Sequence, residues 1–300
     1  MVSIIKRKKG KRYYYYLRHN DGKTQKEIYL GIHIPKNIEQ IKRDFYLDLL
    51  RHKWIGPLEI IAKQYSKLVK NFTKNEIQNN LEIFSFDFTH DTNKIEGSSL
   101  SRKETHNLLR FKLTPTNKPE WDMIETSNHH KAFIDMMRSK SDLSLKRILV
   151  LHKRIFAQTK PEFAGVTRKK RMIVVGSRST FPHPSFVPAL LKQFFLWYEK
   201  AKNTQNPVEL AGLAHFRFVS IHPFADGNGR ISRLITNGVL SKNGYPLLNI
   251  KFADRHKYYL ALEKSQTESD EIHFLKWFVT YYIENNRKYL KSVARPSGIH

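Results

Sequence analysis

Apolar residues recur at three- and four-residue spacing along most of this chain, the period of helices with one buried face. The pattern predicts helices over residues 58–71, 75–88, 102–111, 121–138, 144–158, 187–202, 207–221, 228–243, 255–265 and 271–293. Pro188 and Pro207 stand near helix starts, where a missing N–H costs little. Two places break the rhythm. Residues 12–18 and 25–30 are aromatic or β-branched runs flanking Asn20-Asp21-Gly22, a hairpin signal, and they lead through Pro35 into a polar helix over 37–54 that ends before Gly56-Pro57. Residues 171–175 form a short β-type run followed by Gly176, Pro182 and Pro184, which predicts a small hairpin inserted between helices. The fold class expected is mainly α, a helical bundle carrying two small hairpins, with no internal repeat.

Composition narrows the partners. The chain has 300 residues, 40% of them hydrophobic, as in a globular protein able to build its own core. With no cysteine, a disulfide scaffold, a thiol nucleophile and a cysteine-ligated metal are excluded. No apolar run reaches the roughly 18 residues a membrane helix needs, and the first residues have no signal-peptide core, so the expectation is a soluble, cytoplasmic protein without membrane contact. Fifty-three Lys and Arg against 27 Asp and Glu give a formal charge of +26, which favours polyanionic company. Residues 1–55 hold 14 basic and 5 acidic side chains, about twice the excess per residue found in the remainder.

Residues 222–233, His-Pro-Phe-Ala-Asp-Gly-Asn-Gly-Arg-Ile-Ser-Arg, gather the parts of phosphoryl-type transfer in one loop and helix start. Gly227, Asn228 and Gly229 let backbone N–H groups converge on an anion at the positive end of the following helix. Arg230 and Arg233, three apart, share a helical face and suit phosphate oxygens. Asp226 is a hard oxygen ligand that suits Mg²⁺ on phosphates. His222 is placed to take a proton from an incoming hydroxyl.

This stretch resembles the signature of the Fic family, HPF-x-(D/E)-GNGR-x-x-R, at every specified position. The resemblance implies a Fic-type helical core and transfer of AMP from ATP to a Tyr, Ser or Thr hydroxyl of a target protein. It makes His222 the base, Asp226 the Mg²⁺ ligand, residues 227–229 the phosphate cradle, Arg230 the β-phosphate contact and Arg233 the γ-phosphate contact. Phe224 anchors the loop inward. The related Doc toxins, which phosphorylate instead, carry a bulkier residue where Gly229 stands, so glycine favours adenylylation. Thr92-Asn93-Lys94-Ile95-Glu96-Gly97 is similar to the family's inhibitory motif (S/T)-x-x-x-E-(G/N), placed ahead of the signature as in class II members. Glu96 paired with Arg233 would remove the γ-phosphate contact, with Thr92 and Gly97 as the flanking motif residues.

Other stretches are similar to the family too. Ala164-Gly165-Val166-Thr167-Arg168, Val174-Val175-Gly176 and Phe181-Pro182-His183-Pro184 resemble the flap, which aligns a target by strand addition; Thr167 stands where relatives have an aromatic. Tyr258-Tyr259-Leu260-Ala261-Leu262 resembles the helix whose tyrosines line the adenine pocket, and Gln266 stands where relatives often have asparagine. Asn128 matches a structural asparagine. The resemblance covers about residues 80–290, giving a basic accessory segment at 1–55, N-terminal helices with the inhibitory helix at 56–125, and the Fic core at 126–295. Removal of AMP with Glu96 positioning water is an alternative, as is a basic nucleic-acid-binding or adaptor protein. Target docking on the flap at 168–184, self-modification, a homodimer and nucleic acid at Lys6, Arg7, Lys8, Lys9, Lys11 and Arg12 are left open, the last without a recognition motif. Activity should fall as pH drops through the ordinary imidazole range.

Overall fold

The computed structural model describes residues 2–291 except 21, 23, 24, 140 and 173–177. The chain divides into two compact units, Met1–Pro57 and Leu58–His300. In the first, β1 (Val2–Lys9), β2 (Arg12–Asn20) and β3 (Gln25–Gly31) form an antiparallel sheet in the order β1-β2-β3. Strand β1 is absent from the sequence reading because its basic run hides the alternation: Ile4 pairs with Leu17 and Leu17 with Ile28, all on one face. That face carries Leu17, wholly buried, against Phe45 and Leu49 of α1 (Ile38–Lys70). The expected turn is present at Gly22, whose N–H donates to the Asn20 side chain at 2.9 Å.

Helix α1 corrects the expected break at Gly56-Pro57. It runs through Pro57 without interruption. An interior proline costs about 3 kcal/mol, but Leu58 and Ile61 on the following turn are wholly buried, and each such side chain contributes about 1.5–3 kcal/mol.

In the second unit α2 (Lys74–Ile95), α3 (Arg102–Phe111), α4 (Glu120–Arg138), α5 (Leu145–Phe156), α6 (Val187–Ala201), α7 (Pro207–Ile221), α8 (Asn228–Lys242), α9 (Arg255–Thr267), α10 (Ile272–Asn285) and α11 (Arg287–Lys291) follow in order. Helix α7 is buried over nearly its whole length and packs on α8, α10 and α6. Helix α2 extends seven residues beyond its expected end. Its buried stripe is polar there: Ser85 and Thr89 bond to His130 and His129 of α4, and Asn93 donates to Thr126 at 3.3 Å. Hydrogen-bonded polar side chains replace the apolar repeat, so the helix continues where the pattern fades. The expected helix over 271–293 is split at Asn286, whose N–H turns back to Tyr282 and Ile283. Of the inserted hairpin expected near 171–176, Arg171 and Met172 are described and lie in no strand, and the rest, with Val175 and Gly176, lies outside the described residues.

Replacing Pro57 by Ala should raise stability to denaturant by about 1–3 kcal/mol, since the restored N–H finds a carbonyl one turn back. An unchanged midpoint would mean the helix is broken there.

Candidate active site

The loop between α7 and α8 brings the signature residues together. His222 ends α7 in the left-handed region (φ 51°), unusual for a residue with a Cβ. Its Nδ1 donates to the Val219 carbonyl at 3.3 Å, which leaves the lone pair on Nε2. Phe181 lies 3.9 Å from its ring, and Arg168 Nε donates to its carbonyl at 2.6 Å. Burial, helped by the Arg168 charge, pushes the His222 imidazole down to about 4 against opposing pulls from the Val219 carbonyl, Glu96 and Asp226. The ring is therefore neutral throughout the physiological range. The expected fall of activity moves from the ordinary imidazole range to near pH 4.

The loop behind it is held by side chains. Phe224 is wholly buried as expected and stacks 3.8 Å from His152. Asn228 closes a reciprocal pair with Phe224, accepting from its N–H and donating to its carbonyl, both at 2.9 Å. His152 donates from Nε2 to the Asp226 carbonyl at 3.0 Å and accepts at Nδ1 from Gly165 at 2.9 Å. Gly227 (φ 80°) caps α8, and Phe156 packs where its Cβ would be.

Asp226 accepts from Gly227 N–H at 2.5 Å and from Lys160 Nζ at 2.6 Å, and Arg230 reaches both its oxygens at 3.3 Å. Burial alone would raise its pKa; Arg230 and Lys160 outweigh that and hold the carboxyl at about 2. Lys160 also bridges to Glu125 at 3.0 Å, and Arg230 bonds to the other Glu125 oxygen. Arg230 is thus an internal counter-ion, committed to two carboxylates. Its buried Nε has no hydrogen-bond partner among the described residues, so this cluster retains an unused donor.

Arg233 is 2% exposed and its donors are occupied. Nε donates to Thr92 Oγ1 at 2.6 Å, Nη2 to the Thr92 carbonyl at 3.2 Å and to Glu96 Oε1 at 2.5 Å, and Nη1 to Tyr258 at 3.4 Å. Glu96 reaches it because α2 stops in a Schellman turn: Gly97 adopts φ 98°, its N–H bonds to Lys94 O at 3.1 Å, and Ser98 N–H bonds to Asn93 O at 3.0 Å. The carboxylate enters the first turn of α8, where a Cβ on Gly229 would stand 2.3 Å from Glu96 Oε1. A side chain at 229 would force the Glu96 carboxylate out of this position.

The two tyrosines part company. Tyr258 is 1% exposed, with its hydroxyl on His215 at 2.9 Å and on Arg233, so it belongs to the core beneath the arginine. Tyr259 is 45% exposed and donates to the Ile95 carbonyl at 3.2 Å, beside Glu96. Gln266 donates to Ser220 at 3.2 Å, tying α9 to α7, and Asn128 donates to Gln158 at 2.9 Å. Lys160, Glu125, Arg168 and His152 are not among the site residues expected from the sequence; Arg168 lies in the flap-like stretch and Glu125 in the Glu125-Thr126-Ser127-Asn128 stretch around Asn128.

Comparison with known proteins gives the same region. Residues 142–240 match the Fic/DOC family. "Protein adenylyltransferase Fic" of Drosophila melanogaster is 33% identical over 187 residues, covering 61% of this chain and 37% of that protein. The protein of the same name from Nematostella vectensis is 29% identical over 185 residues, covering 60% and 43%. The chain thus spans less than half the length of these curated relatives. A Fic domain containing signaling protein from Bacteroides thetaiotaomicron superposes with a TM-score of 0.69 at 25% identity, covering 79% of this chain and 98% of that one. Fic-1 of C. elegans shares the fold, with a TM-score of 0.71 at 22% identity, covering 88% and 80%.

A pH titration of the His222 ring by NMR should show the Nδ1–H tautomer at pH 6 and protonation near 4. Because the folded value lies below the unfolded one of 6.5, the unfolded chain takes up the proton first, so stability is lost as pH falls from about 6.5 to about 4. His130 and His152, also lowered to about 4 chiefly by burial, act in the same direction. A His222 titration at its ordinary value would contradict the burial described.

Proposed function

We propose that this chain, which carries a Fic/DOC-family domain at residues 142–240, transfers AMP from ATP to a hydroxyl of a target protein and is held in check by Glu96. The observation that carries the reading is the placement of Glu96. Its carboxylate lies on Arg233 at the N-terminal turn of α8, the positive end that suits a phosphate. An anion already occupies the position assigned to the γ-phosphate.

With Glu96 withdrawn, Arg233 Nη2 regains a donor for the γ-phosphate, and the N–H groups of 228 and 229 line the cradle, that of Gly227 being held by Asp226. Tyr259 is the exposed member of the tyrosine pair and the one available to an adenine. His222 Nε2 accepts the proton of a Tyr, Ser or Thr hydroxyl as its oxygen bonds to the α-phosphorus. The α–β phosphoanhydride bond breaks and pyrophosphate leaves. Arg230 holds Asp226 in place while Lys160 keeps it charged. Asp226 fits Mg²⁺, being an ionised hard ligand of the kind that binds this ion together with substrate phosphates, and Lys160 would have to release Oδ2 to it. Bound there, Mg²⁺ would offset phosphate charge.

Arg168 ties His222 and Pro223 to Lys170 and Pro182 at the two sides of the flap segment, so a target strand laid on 168–184 would be registered against the base. Among the described residues no helix is long and apolar enough to cross a membrane.

Glu96→Gly should raise incorporation of label from α-labelled ATP by at least about tenfold, the factor that corresponds to 1.4 kcal/mol. Adding His222→Ala should abolish it. No incorporation by the Glu96→Gly protein, into itself or into lysate proteins, would overturn the reading; faster release of AMP from a modified target by the intact chain than by Glu96→Gly would assign it to hydrolysis instead.

A further inference from the structure

We infer that the outer face of the N-terminal sheet is a binding surface for duplex DNA. The three strands use one face for their own core, with Leu17 against Phe45 and Leu49; on the other, Arg7, Lys9, Arg12 and Tyr29 are exposed and Tyr14, Tyr16 and Arg18 half-buried. The strand register puts Arg7, Tyr14, Tyr16, Arg18 and Tyr29 on that second face, with Lys9 paired to Arg12 at its hairpin end. Tyr29 is 56% exposed.

The charge on this face is lopsided. The register places four cations there, Arg7, Lys9, Arg12 and Arg18, against the single acid Glu27. Glu27 accepts from Arg7 at 2.9 Å, Arg18 at 2.7 Å and Gln25 at 3.0 Å, so one carboxylate orients two guanidiniums without neutralising both. Arg7 is further held 4.9 Å over the Tyr16 ring. Guanidiniums fixed in this way lose less entropy when they meet phosphates. Alternate residues on one strand lie about 6.8 Å apart and neighbouring strands about 4.8 Å apart, so the cations form a two-dimensional array rather than a single line.

The aromatic residues select among nucleic acids. Tyr29 packs against Tyr16 and Tyr14 at centroid distances of 5.3 and 6.2 Å, with tilts of 49° and 42°. Rings tilted into one another provide no open platform for successive bases, which single-strand binding needs. The wide major groove of B-form DNA admits β-ribbons, whereas that of A-form RNA is too narrow and deep. A basic sheet with hydroxyl donors therefore fits duplex DNA best. This inference concerns the first unit and is independent of the transferase reading.

The test is fluorescence anisotropy of the full chain with a random-sequence DNA duplex, titrated over about 50–200 mM salt, beside single-stranded DNA, duplex RNA and polyglutamate. Four phosphate contacts predict a log–log salt slope of about −3 to −4. Lys9→Glu with Arg12→Glu should weaken binding at least about tenfold and reduce the slope by about 2. Glu27→Gln should tighten it about threefold, a gain that misfolding cannot produce. Lys103→Glu with Lys146→Glu, the same charge change in the other unit, should leave affinity within about twofold. Equal loss in both double variants, tighter binding to single-stranded DNA, duplex RNA or polyglutamate, or no binding at low salt would overturn the inference.

Discussion

The buried guanidinium of Arg233 is the constraint around which the second unit is arranged. A charge this deep needs partners on every side, and α2 supplies them through the hydroxyl and carbonyl of Thr92 and the carboxylate of Glu96. Two helix dipoles act on that carboxylate in opposite directions. Standing at the C-terminal end of α2, it is disfavoured by about 0.3–1 kcal/mol; entering the N-terminal turn of α8, it is favoured by a similar amount. The pair is therefore held mainly by direct contact, and a stronger anion on the same arginine can displace it. Nothing in α8 has to move.

A second charged cluster keeps the neighbouring carboxylate ready. Asp226 and Glu125 share Lys160 and Arg230, giving two anions and two cations in one network. The arginine is buried and fixed; the lysine is about one-third exposed and carries a flexible stem. The Arg230 charge, the strongest of the influences lowering the Asp226 pKa, stays beside it when the lysine yields. Around it, Asn228, His152 and Phe224 set the loop backbone through contacts that involve no substrate. On the proposed reading, the changes needed for activity fall on two side chains, Glu96 and Lys160.

The sequence-based expectations succeeded where contacts are local. Helix α7 was expected over 207–221 and occurs as Pro207–Ile221, because its apolar period is unbroken. The loop after it could be read because a histidine, an aspartate, two glycines and two arginines lie within twelve residues. Among long-range charge pairs, Glu96 with Arg233 could be anticipated because each lies in a motif, whereas Lys160 meeting Asp226 across 66 positions and Arg230 meeting Glu125 across 105 left no such trace. The end of α2 was obscured because its buried stripe is polar, and β1 because a basic run masked its alternation. Tyr258 and Tyr259 are adjacent in the chain, but helical geometry sends one into the core and the other to the surface, which a motif alone cannot separate.

The competition between a carboxylate and a terminal phosphate for Arg233 can be measured directly by calorimetric titration of ATP and of AMP into the intact chain and the Glu96→Gln variant. Removing the charge should tighten ATP at least about tenfold, or 1.4 kcal/mol, and change AMP less than about twofold, since AMP has no γ-phosphate to contest the site. Equal gains for both nucleotides, or none for ATP, would show that Glu96 does not occupy the phosphate's place.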